Sequence, residues 1–383
     1  MELNIVYIGG LSFPLGYAMT KRRRYMVDYM NEKNIECHVL STRYKKNEQL
    51  NNPSKGMYGK TDYYDLSDLF YKGCIFSYYG KGKQKIKQWY NSSKKNIMIF
   101  STKLNVEDFI FFQYAYRLGY KIVFDQVETS YLADGTNESI KRKCYILFCE
   151  FISDYAYKKA SGSFVISEAL LRQNKSKYPN IPLCLLPNST PILFGVSKTT
   201  IGSPVKILYS GTYALKDGVS FLIEGVKKAV QIGCKCELIL VGKGRVRDMT
   251  FLDEIKDFSW IKYLGFISDE ELYAKMRECD ILAMTRINSK FANFGFPFKL
   301  SEYLSTGNVV MATEVGDVPL YLNKSNSLLI PPEDSNAIAN AILYVSENPV
   351  NSLQIGRNGL NTMKEKFSIK RIGEIFISFL CEI

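Results

Sequence analysis

The residues best suited to chemistry are a lysine and a glutamate on one short segment, Lys299 and Glu302, within the stretch 287–319. An ammonium group neutralises a phosphate, and a carboxylate can accept hydrogen bonds from the two neighbouring hydroxyls of a ribose. A cation and an acid held this close together therefore predict a site for the phosphate and the ribose of a sugar nucleotide.

The elements around this pair support the prediction. A loop containing Gly, Phe and Pro, 293–297, comes before the pair, and Leu300 and Tyr303 then follow with helical spacing as far as Gly307. Such a loop presents backbone N–H groups and the positive end of a helix dipole to an anion. We expect Glu302 to lie one turn inside this helix, on a face that the core does not need. The alternative for Glu302 is a solvated helix glutamate.

The same stretch resembles the donor-binding signature of glycosyltransferase family 4, whose members are retaining enzymes. Glu302 matches the second glutamate of that signature, the one that binds ribose, and Phe294 occupies the place of the first. Phe296 and Pro297 lie where the family usually has Phe-Gly. This variant looks like a branch common in bacterial surface-polysaccharide synthesis, and Asn293 is a candidate substitute for the missing glutamate.

The resemblance implies the GT-B fold. In this α/β fold two Rossmann-like domains with doubly wound parallel sheets face each other across a cleft, and the C-terminal helix crosses back to the first domain. We expect an acceptor-binding domain at 1–190, completed by 367–383, and a donor-binding domain at 204–366. The length of 383 residues suits two domains. Strands that alternate with helices in both halves favour the same class.

The loops of the second half carry further candidates for the donor site. Lys216 lies in the loop 210–218 that follows a predicted strand, where it would join Lys299 as a second cation on the donor diphosphate. The family usually has an arginine where this chain has Thr212. A solvated loop lysine is the alternative for Lys216. Arg286 follows another strand, and a surface position explains it as well as a donor contact does.

The predicted sets combine these positions with the glycine turns. The donor-binding set is Gly10, Gly211, Gly242, Arg286, Asn293, Phe296, Pro297, Phe298, Lys299, Leu300 and Glu302. The catalytic set is Lys216, Lys299, Asp125 and Glu128. Because two lysines can neutralise a leaving group directly, we expect no metal and no cofactor besides a UDP- or GDP-linked co-substrate.

The first half is expected to bind the acceptor. The first strand ends at Gly9 and Gly10, a turn that the resemblance places near the donor phosphates and the acceptor; a plain tight turn is the alternative. Asp125 and Glu128 follow a later strand, so the geometry of a parallel sheet places them in the ligand crevice. They are candidates to contact the acceptor hydroxyl, with a capping role as the alternative. The only histidine, His38, lies on the predicted second strand.

Charge is distributed unevenly along the chain. Residues 1–200 hold 29 basic and 17 acidic residues, a difference of +12, whereas 201–383 hold 21 of each. Two basic runs contribute, Lys21–Arg24 and Lys81–Lys95, the second of them beside Trp89. Lysines next to aromatic residues predict a docking surface for an anionic membrane or a lipid pyrophosphate. A solvated helix face is the alternative, and no nucleic-acid-binding motif accompanies the charge.

The composition predicts a soluble, cytoplasmic protein that can dock peripherally on the inner face of a membrane. No apolar run approaches the roughly 20 residues of a membrane span, and the first residues read as a strand rather than as an export signal. Nine scattered cysteines and one histidine form no zinc constellation, so most cysteines are expected to be reduced core residues.

We therefore interpret the chain as a retaining, hexosyltransferase-type glycosyltransferase that moves a sugar from a nucleotide donor to an acceptor hydroxyl. The resemblance implies capsule, O-antigen or exopolysaccharide assembly on a lipid-linked or oligosaccharide acceptor. Two alternatives stay open: a sugar-nucleotide epimerase of similar fold, and a non-catalytic sugar-nucleotide-binding partner of a glycosyltransferase. The departures at Thr212 and Phe294 favour considering the second of these.

Overall fold

The chain folds into two α/β units. Unit 1 comprises Met1–Ser189 and Ile369–Ile383, and unit 2 comprises Thr190–Ser368. The structure, a computed structural model, describes residues 2–44, 52–101, 103–127, 139–194, 198–245 and 248–383. The two ends of unit 2 are neighbours, because Thr190 and Ser368 pair in a parallel bridge.

Strands and helices alternate along most of the chain. The strands are β1 Leu3–Gly9, β2 Glu36–Ser41, β3 Lys55–Tyr58, β4 Thr61–Asp65, β5 Lys95–Ser101, β6 Lys121–Gln126, β7 Gly162–Val165, β8 Leu183–Leu185, β9 Val205–Ser210, β10 Cys236–Val241, β11 Ile261–Gly265, β12 Ile281–Met284, β13 Val309–Thr313 and β14 Leu328–Ile330. The helices are α1 Ala18–Glu32, α2 Ser67–Tyr71, α3 Ile75–Gln88, α4 Val106–Leu118, α5 Ile140–Tyr157, α6 Glu168–Lys177, α7 Val219–Gln231, α8 Phe251–Ile255, α9 Asp269–Glu278, α10 Lys290–Phe294, α11 Phe298–Leu304, α12 Val318–Tyr321, α13 Ser335–Glu347, α14 Pro349–Lys366 and α15 Ile369–Glu382. A 3-10 turn, Leu215–Asp217, precedes α7.

Unit 1 contains an eight-stranded sheet in the order β3-β4-β2-β1-β5-β6-β7-β8. Neighbouring strands are parallel, apart from β3 and β4, which form an antiparallel pair at the edge. The strand order runs outward in both directions from β1 and β5. The carboxyl ends of these two strands therefore form the switch point at which open α/β sheets bind ligands.

The last helix, α15, belongs to the core of unit 1. Phe376 stacks on Phe164 of β7 with 4.8 Å between ring centroids. Gly373 lies against α1, where a Cβ would come within 2.3 Å of the Tyr29 ring. The return of the final helix to the first unit is what the predicted fold class requires.

Unit 2 contains a six-stranded sheet in the order β11-β10-β9-β12-β13-β14, with every neighbouring pair parallel. Its switch point lies between β9 and β12. A capping box begins α9, where Ser268 and Glu271 exchange hydrogen bonds. Two parallel-sheet units confirm the predicted fold class.

The first basic run does not form the predicted docking surface. Lys21, Arg22 and Arg23 of α1 are buried. The helix packs against both β2 and α15, so its polar side is covered as well as its apolar side. A buried side chain cannot meet a lipid headgroup, and this part of the prediction is wrong.

The second basic run is only partly available. Lys85 lies 3.6 Å from Asp62, to which Trp89 donates its indole N–H at 2.9 Å. Only 4% of Trp89 is exposed, so this ring belongs to the core and cannot anchor the protein at a membrane surface. Lys81 and Lys87 are exposed.

The cysteines are less buried than expected. All nine are free, and four of them are buried: Cys37, Cys234, Cys236 and Cys279. The expectation that most lie in the core is wrong, because the other five are partly or fully exposed. Across the described ranges, no helix combines the length and the apolar character that crossing a membrane requires.

Candidate functional site

The candidate site of unit 2 lies at the carboxyl ends of β9 and β12, where the strand order reverses. The loop after β9, 211–218, is fastened to the loop after β12. The N–H of Ile287 donates to the carbonyl of Lys216 at 3.1 Å, and the Thr285 hydroxyl donates to the carbonyl of Gly218 at 3.3 Å. Gly218 has φ +62°, and a Cβ there would lie 2.0 Å from the Thr285 carbonyl oxygen, so the turn requires glycine.

Lys299, in the first turn of α11, reaches back to the end of β9. Its ammonium donates to the Tyr209 hydroxyl at 3.0 Å and lies 3.6 Å from a carboxylate oxygen of Asp217. Gly211 leaves room for this group, because a Cβ at that position would lie 2.4 Å from Nζ of Lys299. The Lys299 side chain is 22% exposed, so the ammonium is only partly withdrawn from water.

Three cations act electrostatically on Asp217, and Lys299 approaches it most directly, at 3.6 Å. Burial raises the pKa of its carboxyl, but Lys299, Arg286 and Lys216, with a hydrogen bond from the Thr212 hydroxyl at 3.2 Å, together hold that pKa below its usual value. Burial in turn lowers the pKa of Lys299 and of Arg286, and the Asp217 carboxylate opposes both shifts. Three positive charges and one negative charge leave two net positive charges, which attract an anion.

Asp217 was missed by the sequence analysis. The available signal was an acid directly after Lys216 in a loop already assigned to an anionic ligand. The charges of both predicted lysines act on this acid, and the ammonium of Lys216 lies over the Phe291 ring at 4.2 Å from its centroid. Arg286, for which a surface position was the alternative, is the third cation of the group.

The second predicted glycine turn packs directly on the first. Gly242 has φ +118°, and its N–H donates to the carbonyl of Gly265 at 2.7 Å. A Cβ on Gly242 would lie 2.0 Å from the carbonyl oxygen of Gly211, and one on Gly244 would lie 2.5 Å from that of Thr212. The structure thus brings Gly211 and Gly242 together, with backbone rather than side chain at the contact.

The segment before Lys299 differs from the predicted loop. Its first residues form α10, so the loop is limited to 295–297. Helix α11 has seven residues, and the dipole of so short a helix is weak, so the positive charge here comes from Lys299. Phe296 is buried against Phe367, with ring centroids 5.4 Å apart.

The other predicted donor residues of this segment have different surroundings. Pro297 and Leu300 are buried, and Phe298 is partly exposed. Leu300 is a core residue of α11 with a fully buried side chain, and its contact with the donor stays a prediction. Asn293 joins two loops, because its amide donates to Asn288 at 2.8 Å and its oxygen accepts from the Gly316 N–H at 3.0 Å.

Glu302 is buried, with 6% of the residue exposed. The alternative of a solvated helix glutamate is therefore wrong, since Glu302 is buried and α11 packs against β12, β13 and α14. The neighbouring Tyr303 fixes α11 to the end of β9: its hydroxyl accepts from the Ser210 N–H at 3.0 Å. Glu302 and Lys299 therefore lie on an element held rigidly against the sheet.

Asp125, the predicted acceptor contact of unit 1, forms a bidentate ion pair with Arg22 of α1. The two Arg22–Asp125 distances are 2.9 and 3.1 Å. Arg22 also donates to the carbonyls of Leu186 and Pro187, so the pair ties α1 to the carboxyl ends of β6 and β8. This geometry favours a positioning role for Asp125. The other predicted catalytic acid, Glu128, lies outside the described residues.

Gly10 permits a close backbone approach in unit 1. A Cβ at this position would lie 2.5 Å from the carbonyl oxygen of Arg43. The plain structural role that the sequence left open is therefore sufficient to explain this glycine. In the parts of the chain that the structure describes, no three His, Cys, Asp or Glu side chains are grouped so that they could hold a metal ion.

The two parallel-sheet units define the fold as that of the GT-B glycosyltransferases, the class to which the similar solved structures belong. Residues 204–348, all in unit 2, match the family model described as glycosyl transferases group 1. No curated protein sequence matches the chain significantly.

Three solved structures show the likeness. HepE of Anabaena, in complex with UDP, has a TM-score of 0.70 at 14% identity, over 99% of this chain and 100% of that one. Sucrose-phosphate synthase of Thermosynechococcus elongatus has a TM-score of 0.72 at 14% identity, over 99% and 98%. TarM, a Staphylococcus aureus protein, has a TM-score of 0.73 at 11% identity, over 98% of both chains. At these identities the similarity establishes the fold.

Proposed function

We propose that the chain is a glycosyltransferase that binds a nucleotide-sugar donor at the carboxyl ends of β9 and β12. The observation that carries the proposal is the approach of Lys299 to Asp217 at 3.6 Å, together with the charges of Arg286 and Lys216, which act on the same carboxylate. A diphosphate entering this partly buried group meets two net positive charges, and the attraction is stronger there than in water. The match of unit 2 to glycosyl transferases group 1 supports the same conclusion.

Arg286 explains how the site works without the arginine that the family resemblance places at Thr212. Its charge acts on the same carboxylate from the end of the neighbouring strand. Thr212 then does not need to bind phosphate, and its hydroxyl donates a hydrogen bond to Asp217 instead. The site thereby keeps its positive charge in a different arrangement.

The proposed reaction breaks the bond between C1 of the donor sugar and the diphosphate oxygen, and forms a bond between C1 and the acceptor oxygen. The electron pair of the broken bond leaves with the diphosphate, whose charge Lys299 and Lys216 neutralise. The proton of the acceptor hydroxyl passes to an oxygen of the departing diphosphate. Because attack and departure occur on one face of the sugar, the anomeric configuration is retained.

Glu302 is proposed to accept hydrogen bonds from the donor ribose, as the family resemblance implies. Burial favours this role, because charge-assisted hydrogen bonds are stronger in a low-dielectric environment. The acceptor is proposed to be a lipid-linked or oligosaccharide substrate of bacterial polysaccharide assembly, and the excess positive charge of residues 1–200 supports an anionic carrier.

Donor binding is tested by thermal unfolding of the purified chain with UDP-, GDP- and dTDP-sugars. UDP-glucose is the first choice, because HepE was solved with it. A donor at about 100 times its dissociation constant should add roughly 2.7 kcal/mol to the free energy of unfolding. Lys299→Met should remove most of this gain for nucleoside diphosphates and leave uridine binding unchanged. The matched control Lys290→Met changes an exposed lysine of α10 and should behave like the parent.

Turnover separates the proposal from its alternatives. We expect UDP to be released only when an acceptor is present. NMR of the product should show the anomeric configuration of the donor sugar retained. Donor binding without any turnover would instead favour the non-catalytic partner, and interconversion of sugar nucleotides without acceptor would favour the epimerase. A Lys299→Met variant that binds nucleoside diphosphates as the parent does would overturn the phosphate assignment.

A further inference from the structure

Unit 1 has a small pocket at its own switch point, at the carboxyl ends of β1, β5 and β6. Its lining residues are Tyr7, Leu11, Met19, Arg23, Ile99, Phe100, Ser101 and Asp125. The pocket thus combines an apolar wall with the ends of three parallel strands and one side chain of α1. This is where the topology of an open α/β sheet places a ligand.

Arg23 gives this pocket a buried positive charge with an unused hydrogen-bond donor. The residue is 5% exposed, and its Nη1 is buried without a hydrogen-bond partner in the described structure. The guanidinium lies 5.4 Å from the centroid of the Tyr7 ring. Burial lowers the pKa of Arg23, yet an arginine keeps its proton in a protein. A buried cation with an unused N–H donor lowers the stability of the fold unless an anion pairs with it and accepts that hydrogen bond.

The surrounding carboxylates do not supply that anion. Asp125 lines the pocket, but Arg22 occupies both of its oxygens at 2.9 and 3.1 Å. Asp108 acts on Arg23 from α4, and burial raises the pKa of its carboxyl to about 7. Arg22 provides the contrast. It is as buried as Arg23, but it donates hydrogen bonds to four different residues.

We propose that the pocket binds an anionic group of the acceptor, a phosphate or a carboxylate, through the guanidinium of Arg23. Arginine suits both groups, because its planar donors match two oxygens at once. The pocket has room for about one water molecule, so side chains at its mouth must move for the charged group to reach Arg23. This inference rests on the proposed function in one respect, namely that unit 1 receives the acceptor.

The test titrates the full chain with three probes: glucose 6-phosphate, glucuronate and glucose. The charged sugars should bind and raise the melting temperature, whereas glucose should have no effect; the two charged probes separate a phosphate from a carboxylate preference. Arg23→Gln should weaken binding of the preferred probe by at least about tenfold, the loss of one charge-assisted hydrogen bond, and Arg23→Lys should weaken it less. Equal binding of charged and neutral sugars, or unchanged binding to Arg23→Gln, overturns the proposal.

Stability separates a binding arginine from a structural one. Arg22→Gln should lower the free energy of unfolding markedly, whereas Arg23→Gln should leave it unchanged or raise it. If both variants lose stability equally, Arg23 is structural and the proposal is wrong. UDP-sugar binding, measured on the same samples, reports on unit 2 alone, so failure of the donor proposal and failure of this one are distinguishable.

A second, independent observation concerns helix α5. Large apolar side chains are exposed along it at positions i, i+7, i+8, i+11 and i+15: Ile140 81%, Leu147 55%, Phe148 51%, Phe151 71% and Tyr155 45%. This spacing places them on one face of the helix. Exposed apolar faces of this size mark interaction surfaces. Basic residues lie at both ends of the helix: Lys141, Arg142, Lys143, Lys158 and Lys159.

We propose that this face of α5 docks on an anionic membrane surface. An apolar stripe bordered by lysine and arginine is the pattern of a helix that lies in the headgroup region. The choice of a lipid surface over a protein rests on charge complementarity, because the excess positive charge of the chain lies in residues 1–200. This surface takes the place of the two basic runs that the structure excludes or partly covers.

The docking test uses vesicles of phosphatidylcholine alone and of phosphatidylcholine mixed with phosphatidylglycerol. The chain should bind the mixed vesicles and leave them as salt is added. Phe148→Ser combined with Phe151→Ser should weaken binding by at least about tenfold, the scale of losing one buried apolar side chain. The control is Phe76→Ser on α3, which removes an aromatic ring that is 97% exposed. An equal loss of vesicle binding in the two variants overturns the proposal. So does a chain that binds no vesicles but forms a concentration-dependent dimer that Phe148→Ser abolishes.

Discussion

Substituting Gly211 by alanine should disable the cation group of unit 2 without removing any charge. A Cβ at position 211 would lie 2.4 Å from Nζ of Lys299 and 2.6 Å from the hydroxyl oxygen of Tyr209. Ordinary contacts begin near 3.4 Å, so the ammonium must retreat by about 1 Å. The side chain of Lys299 is long and flexible, and we expect the fold to tolerate this movement.

The retreat changes the two interactions that fix the ammonium. Its 3.0 Å hydrogen bond to Tyr209 and its 3.6 Å approach to Asp217 both depend on its present place. A charge-assisted hydrogen bond to a phosphate contributes about 1.5–3 kcal/mol. Gly211→Ala should therefore weaken binding of a nucleoside diphosphate by about tenfold to a hundredfold, at 1.4 kcal/mol per factor of ten.

Isothermal titration with UDP on a double-mutant cycle measures this effect. Gly211→Ala, Lys299→Met and the double variant should all bind UDP with nearly the same reduced affinity, because the second change has nothing left to remove. Uridine, which lacks the diphosphate, should bind all four proteins alike. Additive losses in the double variant would refute the reasoning, since they would show that Gly211 acts by a route other than Lys299.

Three further predictions follow from buried polar groups. Glu302→Gln should weaken UDP binding by about tenfold to several hundredfold. A 2′,3′-dideoxy analogue of UDP should bind the variant and the parent protein alike. If the parent protein binds UDP and the analogue equally well, Glu302 does not bind the ribose. Tyr303→Phe strands the N–H of Ser210 and should lower the free energy of unfolding in urea by about 1–3 kcal/mol; a loss below about half a kcal/mol would count against it. Burial raises the pKa of Asp108 to about 7, well above that of a free aspartate. Its contribution to stability should therefore fall by on the order of 4 kcal/mol as pH rises from about 4 to 7. Asp108→Asn should lack that decline, and parallel pH profiles of the two proteins would show that Asp108 is not its source.

The architecture could be predicted from local patterns. Apolar runs that end in glycine or polar residues, such as the first strand before Gly9 and Gly10, mark buried parallel strands. The capping box at Ser268 and the helical spacing of Leu300 and Tyr303 placed two helices of unit 2 correctly. Each of these signals lies within a few residues of the feature that it predicts.

The errors concern residues whose surroundings come from distant parts of the chain. Lys21 and Arg22 read as a solvated or docking run, yet α15 covers their helix. Trp89 read as an interfacial aromatic, yet Asp62 binds its N–H inside the core. Glu302 is predicted to lie on a helix face that the core does not need, yet it is buried, and α11 packs against β12, β13 and α14. Burial of a charged residue depends on tertiary neighbours, which local periodicity does not contain.

The bridge between Thr190 and Ser368 makes unit 2 an insertion within unit 1. A chain that enters and leaves a unit at adjacent points can be cut there with little loss of contact inside that unit. A short linker between Ser189 and Ile369 would then restore a continuous unit 1, with α15 still able to fill its core. Recombination of genes at this pair of neighbouring sites can therefore replace one unit and leave the other intact. The ligand specificity of the replaced unit then changes, while the other unit keeps its fold.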